Sequence, residues 1–196
     1  NLNKSRFLIH IKYCRRSIAN PAVDAEVILL AMNLLEGLGL KDLELSINSV
    51  GCPKCRSKYR TMLQDFFRDK LEDLCEDCRS RFERSPLRIL DCKKDSDKPY
   101  MADAPKITDC LCEECAEHFA KLKELLTSAG ISFTHDSRLV RGLDYYTKTA
   151  FEIKYPPLGA QSAVAGGGRY DGLIEEMGGN PTPAVGFATG LERLLL

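Results

Sequence analysis

An α+β fold is expected for this chain of 196 residues: a sheet of paired antiparallel strands with flanking helices, interrupted by a helical insertion. Three observations predict it. Apolar residues recur at three-and-four spacing over residues 21–38 and then alternate over 43–48, the mark of a helix followed by a strand. Helical spacing dominates residues 51–130. Beyond Gly130 the chemistry changes to Thr, Tyr, Phe, Val and Gly with alternating polarity, as in antiparallel strands with one covered face.

The first helix is carried by Val27, Leu30, Ala31, Leu34, Leu35 and Leu38, and Gly37 and Gly39 end it. Leu43, Leu45 and Ile47 then alternate with Glu44, Ser46 and Asn48. Tyr59, Met62, Leu63, Phe66, Phe67 and Leu74 predict a second helix over residues 53–74. Ser85 and Pro86 precede a short apolar run (Leu87, Ile89, Leu90), and a charged stretch with a proline fills 93–99. A last long helix is expected over 113–129, with Ala116, Phe119, Leu122, Leu126 and Ala129 on one face and Gly130 as its stop. Strands are expected at 139–144, 146–155, 160–167 and 184–187, with short helices at 172–177 and 190–196.

Composition narrows the function. With 44% hydrophobic and 29% charged residues the chain is globular. Its apolar runs fall far short of the roughly 20 residues that cross a bilayer, so no membrane span is expected. The 28 basic and 28 acidic residues cancel, leaving no global field for polyanions. No export leader is visible, which makes the cytoplasm the default compartment. Nine cysteines, six of them in the CxxC pairs 52/55, 75/78 and 112/115, read in a reducing compartment as metal ligands before disulfides.

Three segments carry chemistry. In LVRGLDYYTKTAFEI, residues 139–153, Arg141 offers a fixed cation and Tyr145 and Tyr146 two phenols. On a strand the two rings would point to opposite faces, so both enter one pocket only if the chain bends there. In AGGGRYDGLIEEMGG, residues 165–179, the glycines suit either close approach of a ligand to the backbone or a tight bend at a sheet edge. In PAVGFATGLERLLL, residues 183–196, Arg193 stands one turn inside a helix, as a phosphate ligand or as a solvated charge.

Together these segments resemble the histidyl-tRNA synthetase family. LVRGLDYY is similar to the first histidine-specific signature of that family, AGGGRYDGL to the second, and PAVGFATGLERLLL to the third consensus motif of class II synthetases. Residues 24–51 and 85–93 are similar to its connecting regions, so the resemblance covers about residues 19–196. It implies a class II synthetase-like antiparallel sheet, with a partial catalytic core over 1–50 and 131–196 and a helical insertion domain over 51–130.

The activity implied is ATP-dependent activation of histidine and its transfer to tRNA(His), with magnesium accompanying ATP and a homodimer expected. The resemblance implies that Arg141 is catalytic, bridging the histidine carboxylate and the α-phosphate. It implies that Tyr145, Tyr146, Tyr170 and Arg169 bind substrate above a floor of Gly166, Gly167 and Gly168, and that Gly190 and Arg193 belong to the ATP site.

The family pattern is departed from at the start. The positions of a Gln and a Glu that bind the amino acid in the second consensus motif fall near His10 and Cys14, and residues 1–18 do not look like the family strand. The first consensus motif and the anticodon-binding domain lie outside this sequence, and a fragment with little activity is expected. The competing readings are the regulatory subunit of ATP phosphoribosyltransferase, a relative that would bind histidine without activating it, and a zinc-stabilised interaction module.

A helix over 53–74 would be about 30 Å long. If the final helix returns to the sheet at Gly130, Cys75, Cys78, Cys112 and Cys115 share the far end, where they would hold a structural zinc; Cys52, Cys55 and Cys92 would form a weaker site. The alternative is unligated thiols. His118 reads as a packed or solvated helix histidine before a ligand, His135 as a loop residue. Glu113, Glu114 and Glu117 complement the helix dipole.

Overall fold

A computed structural model describes residues 8–13, 19–140 and 145–194. A six-stranded sheet organises them, with strands β1 (Leu8–Tyr13), β2 (Glu44–Gly51), β3 (Thr134–His135), β4 (Thr147–Lys154), β5 (Ala163–Arg169) and β6 (Val185–Gly190). Their order is β1-β6-β5-β4-β2-β3, antiparallel throughout except that the two-residue β3 runs parallel to β2.

Helix α1 (Pro21–Gly37) begins where the Asn20 side chain accepts the Ala22 amide at 2.9 Å and Pro21 takes a first-turn position that needs no donor. Helix α4 (Glu113–Ser128) stops at Gly130, whose φ of 74° few other residues adopt. These two helices cover one face of the sheet. Val27, Ile28, Ala31 and Leu35 of α1 and Phe119, Leu122 and Leu126 of α4 meet Leu45 and Ile47 of β2, Phe151 and Ile153 of β4, and Val185 and Phe187 of β6. Alternate strand positions point that way because successive side chains leave a strand on opposite sides.

Between β2 and α4 lies a module with an apolar core of its own. Helix α2 (Pro53–Arg68) contributes Tyr59, Leu63 and Phe67, helix α3 (Glu76–Arg84) Cys78, and the short helical turns that follow Ile89, Met101 and Ile107. The helix expected over 53–74 ends at Arg68, yet Leu74 stays in this second core. The helix expected over 113–129 matches α4, but its apolar stripe belongs to the first core, beside α1. Leu139 and Val140 form no strand, and the rest of the strand expected at 139–144 lies outside the described residues. Among the described residues no helix is long and apolar enough to cross a membrane.

Candidate functional site

The sheet face away from α1 and α4 is floored by small residues. Register places Gly168 between Ala150 and Gly186, and Gly166 between Glu152 and Ala188, so these positions share that face across β4, β5 and β6. Backbone there is approached closely. A Cβ on Gly168 would lie 2.3 Å from the Thr149 carbonyl oxygen and 2.8 Å from the Tyr146 ring. Gly167 points to the opposite side, opposite Phe151 and Phe187, where a Cβ would stand 2.1 Å from the Gly186 oxygen. The glycine run therefore answers crowding on both sides of one strand.

Three tyrosines gather at the end of this floor. Tyr145 and Tyr146 precede β4 in a turn, and that bend brings both rings to one place, with centroids 4.7 Å apart. Tyr170 stands edge-on to both, at 5.9 and 6.3 Å. Val50, Ala150 and Ala184 pack beneath them. At the other end of β5, Arg193 of α6 (Leu191–Leu194) donates through Nη1 to the Ala163 carbonyl, beside Gly190. Six strand steps separate Ala163 from Arg169, roughly 20 Å. Arg141 lies outside the described residues; the segment before it is held by Asn48, which is wholly buried and donates to the carbonyls of Leu139 at 2.9 Å and Ser137 at 3.3 Å. A cleft of about 480 Å³ continues this face between Leu90 and Asp97 of the module, Arg138 of that segment, and Glu152 and Lys154 of β4.

Arg169 is corrected by the structure. Expected among substrate-binding residues, it alternates inward and is 1% exposed. Its Nε and Nη2 grip both carboxylate oxygens of Asp24 in α1, and its Nη1 donates to Asp171 Oδ1 at 3.0 Å. Such a fork fixes a guanidinium in two dimensions. Asp24, 0% exposed, also accepts Thr149 Oγ1 at 2.5 Å and lies 2.6 Å from His118 Nε2. Burial alone would raise its carboxyl, but the hydrogen bonds of His118 and Arg169 outweigh it and hold the group below the ordinary carboxylate range. Asp171 Oδ1 in turn accepts the Ala184 amide at 3.2 Å. The tripeptide 169–171 thus sends Arg169 under the sheet, Tyr170 above it, and Asp171 across to the start of β6. Sequence reasoning missed Asp24 and Thr149; the one signal was an acid on the apolar side of a helix, between Val23 and Ala25.

The cysteines are also sorted differently from the expectation. Cys75 and Cys78 do not meet Cys112 and Cys115. Because α4 lies along the sheet, its first turn sits at the end of β2, and Cys112 and Cys115 join Cys52 and Cys55; Cys75 and Cys78 join Cys92 and Asp95. Burial pushes the Cys52 thiol up, and hydrogen bonds from the amides of Cys55 and Lys54 and from nearby thiols outweigh it, leaving it at about 7. Cys110 is in neither group and bonds the Ile107 carbonyl.

An antiparallel sheet backed by helices on one face and paved with glycine on the other is the catalytic-domain fold of class II aminoacyl-tRNA synthetases. Comparison with known proteins narrows this. The sequence pattern of histidyl-tRNA synthetase matches residues 17–194, and the chain belongs to the histidyl-tRNA synthetase family. It is 57% identical over 177 residues to the histidine–tRNA ligase of Symbiobacterium thermophilum and 59% identical over 177 residues to that of Pelotomaculum thermopropionicum, in each case over 90% of this chain. It spans about two fifths of those relatives, 41% and 42% of their lengths.

Among solved structures, apo S. aureus histidyl-tRNA synthetase superposes with a TM-score of 0.72 at 36% identity, covering 100% of this chain and 51% of that one. A Bacillus halodurans C protein described as an ATP phosphoribosyltransferase regulatory subunit/histidyl-tRNA synthetase gives 0.60 at 22% identity, covering 96% of this chain and 52% of that one, a likeness of fold alone. The regulatory-subunit reading is not favoured beside ligases at 57% and 59% identity.

Proposed function

We propose that this chain supplies part of the catalytic core of a histidine–tRNA ligase, in which histidine is activated with ATP and passed to tRNA(His). In the first step a carboxylate oxygen of histidine bonds to the α-phosphorus of ATP, the bond to the β-phosphate oxygen breaks, and magnesium pyrophosphate leaves. The substrate is itself the nucleophile, so the protein's work is to orient it and offset charge building on phosphorus.

In this reading Tyr145, Tyr146 and Tyr170 surround the imidazole, and Gly166 and Gly168 let the aminoacyl group lie against the strand backbone. Gly167, crowded on the opposite face, leaves room there for Phe187 and the Gly186 carbonyl. Arg141 bridges the carboxylate and the α-phosphate, and Arg193, with Gly190, serves the far phosphates. Arginine suits both places because its charge is permanent and its donors are forked. Arg169 does not touch substrate; gripped by Asp24, it sets the height of the strand that carries Tyr170. A homodimer in the cytoplasm, acting with tRNA(His), is the expected setting of the whole protein.

The observation that carries this reading is the tyrosine cluster at the end of a glycine floor, both parts lying in segments that match the family. Binding of a non-hydrolysable histidyl-adenylate analogue and of ATP with magnesium tests it. Replacement of Arg141 or Arg193 by Ala removes charged hydrogen bonds of about 1.5–3 kcal/mol each, a loss of roughly 10- to 100-fold in affinity. Unchanged binding by both variants would refute the assignment, and a chain that binds histidine but neither ATP nor the adenylate analogue would return the regulatory-subunit reading.

A further inference from the structure

We propose that Cys52, Cys55, Cys112 and Cys115 hold a structural zinc(II) ion that ties the point where the chain leaves the sheet for the inserted module to the point where it returns. The four sulfurs all lie within 4.8 Å of one another. The Cys52 sulfur is 3.6 Å from that of Cys55 and 3.9 Å from that of Cys112. A zinc ion bonded at about 2.3 Å to four sulfurs in a tetrahedron sets neighbouring sulfurs about 3.8 Å apart, so the side chains already stand at the edges of such a site.

The local backbone is built to the same end. Cys52 and Cys112 are the N-cap residues of α2 and α4, so two 16-residue helices direct their positive ends at the cluster and offset the surplus negative charge of four thiolates around a divalent ion. The Cys112 amide donates to the Cys55 sulfur at 3.1 Å, an outer hydrogen bond of the kind that orients a ligand. Gly51, at φ 63°, makes the turn between strand and cluster, and a Cβ there would lie 2.6 Å from the Cys55 Cβ. With four protein ligands the ion has no open position for a substrate, which makes it a structural centre. Cys52 and Cys112 are 60 positions apart, so the ion closes nearly the whole inserted segment.

A second ion is inferred from a separate group at the module's far end. The sulfurs of Cys75 and Cys92 are 3.8 Å apart, and Cys78 and Asp95 complete a set of three thiols and one carboxylate. Asp95 is 2% exposed and also accepts the Cys75 amide at 3.2 Å, which fixes its oxygens toward the thiols.

Metal analysis by native mass spectrometry of the full chain, purified without chelator, tests both sites. Two zinc ions per chain are expected. The pair Cys112→Ser and Cys115→Ser loses one, and the pair Cys75→Ser and Cys78→Ser loses the other. A variant that fails to fold is bypassed with the unaltered chain: cobalt(II) put in place of zinc gives thiolate charge-transfer and tetrahedral ligand-field bands, and alkylation mapped by mass spectrometry finds the thiols of each site, four in the first and three in the second, slowed together and released together by chelator, while Cys110 is indifferent to it. Zinc absent above background with every thiol alkylating at its chelated rate overturns the proposal, as does iron in place of zinc. One zinc alone, kept by the Cys75 and Cys78 double variant, overturns the second site and leaves the first.

Discussion

Arg169 and Asp24 show how a residue outside a pocket can govern it. Each is buried against the other, so removing one partner strands a charge in the core; Arg169→Met is expected to cost about 3–5 kcal/mol in a urea melt, and Asp24→Asn a smaller amount because it keeps one acceptor. The pH dependence has a definite sign. Asp24 faces His118, Thr149 and Arg169, and its carboxyl is held below its usual 3.8 in the folded chain. The folded state therefore takes up this proton at lower pH than the unfolded state, so the stabilisation is full above the ordinary carboxylate range and fades as pH falls through the lowered value. Melts from neutral pH to about pH 3 should fall less steeply for Asp24→Asn than for the unaltered chain, and equal slopes would contradict this. At Gly168, an Ala would meet the Thr149 carbonyl at 2.3 Å and the Tyr146 ring at 2.8 Å. Calorimetry should find adenylate-analogue binding reduced by at least about tenfold, since backbone cannot step aside as a side-chain tip does. The sequence marks Arg169 as a charge beside the glycine run but not its partner, 145 positions away, because periodicity describes neighbours along the chain and not across it.

Elements were read best where one face is apolar and the spacing regular. Helices α1 and α4 and strands β2, β4 and β5 fall within a few residues of their expected places. Errors arose where a tertiary partner decides. The helix expected over 53–74 outruns α2 because Leu74 is apolar in the right phase, although it reaches the same core from a separate turn. The cysteine grouping differs from expectation for the same kind of reason: the spacing locates a helix starting at Glu113 but not which layer that helix joins. A strand is expected from Leu139, and instead Asn48 fastens the segment before Arg141 with two side-chain donors to the carbonyls of Ser137 and Leu139. Asn48→Ala leaves those carbonyls unanswered and should cost about 1–3 kcal/mol, with faster amide exchange over 137–140 than in β4. Exchange at the unaltered rate would show that the segment is held by other contacts.

At the scale of the molecule two apolar cores meet through the joint between β2, α2 and α4. One core belongs to the sheet and its two helices, the other to the module. Stripping metal with a chelator is expected to lower Tm and to speed amide exchange across residues 53–111, leaving the centre of β4 and β5 protected; uniform acceleration would mean that the two cores open as one. The register of the sheet has a kinetic consequence. Asn48 pairs opposite Ala150, so β2 and β4 zip only after about 100 residues of chain have been gathered in, a search whose entropic cost grows with the logarithm of length. If the module collapses first and fastens its own two ends, the remaining gap is nearer 40 residues, which trims that cost by roughly 1 kcal/mol and quickens zipping a few-fold. The guest between two neighbouring strands then acts as the shortcut by which its host finds its pairing.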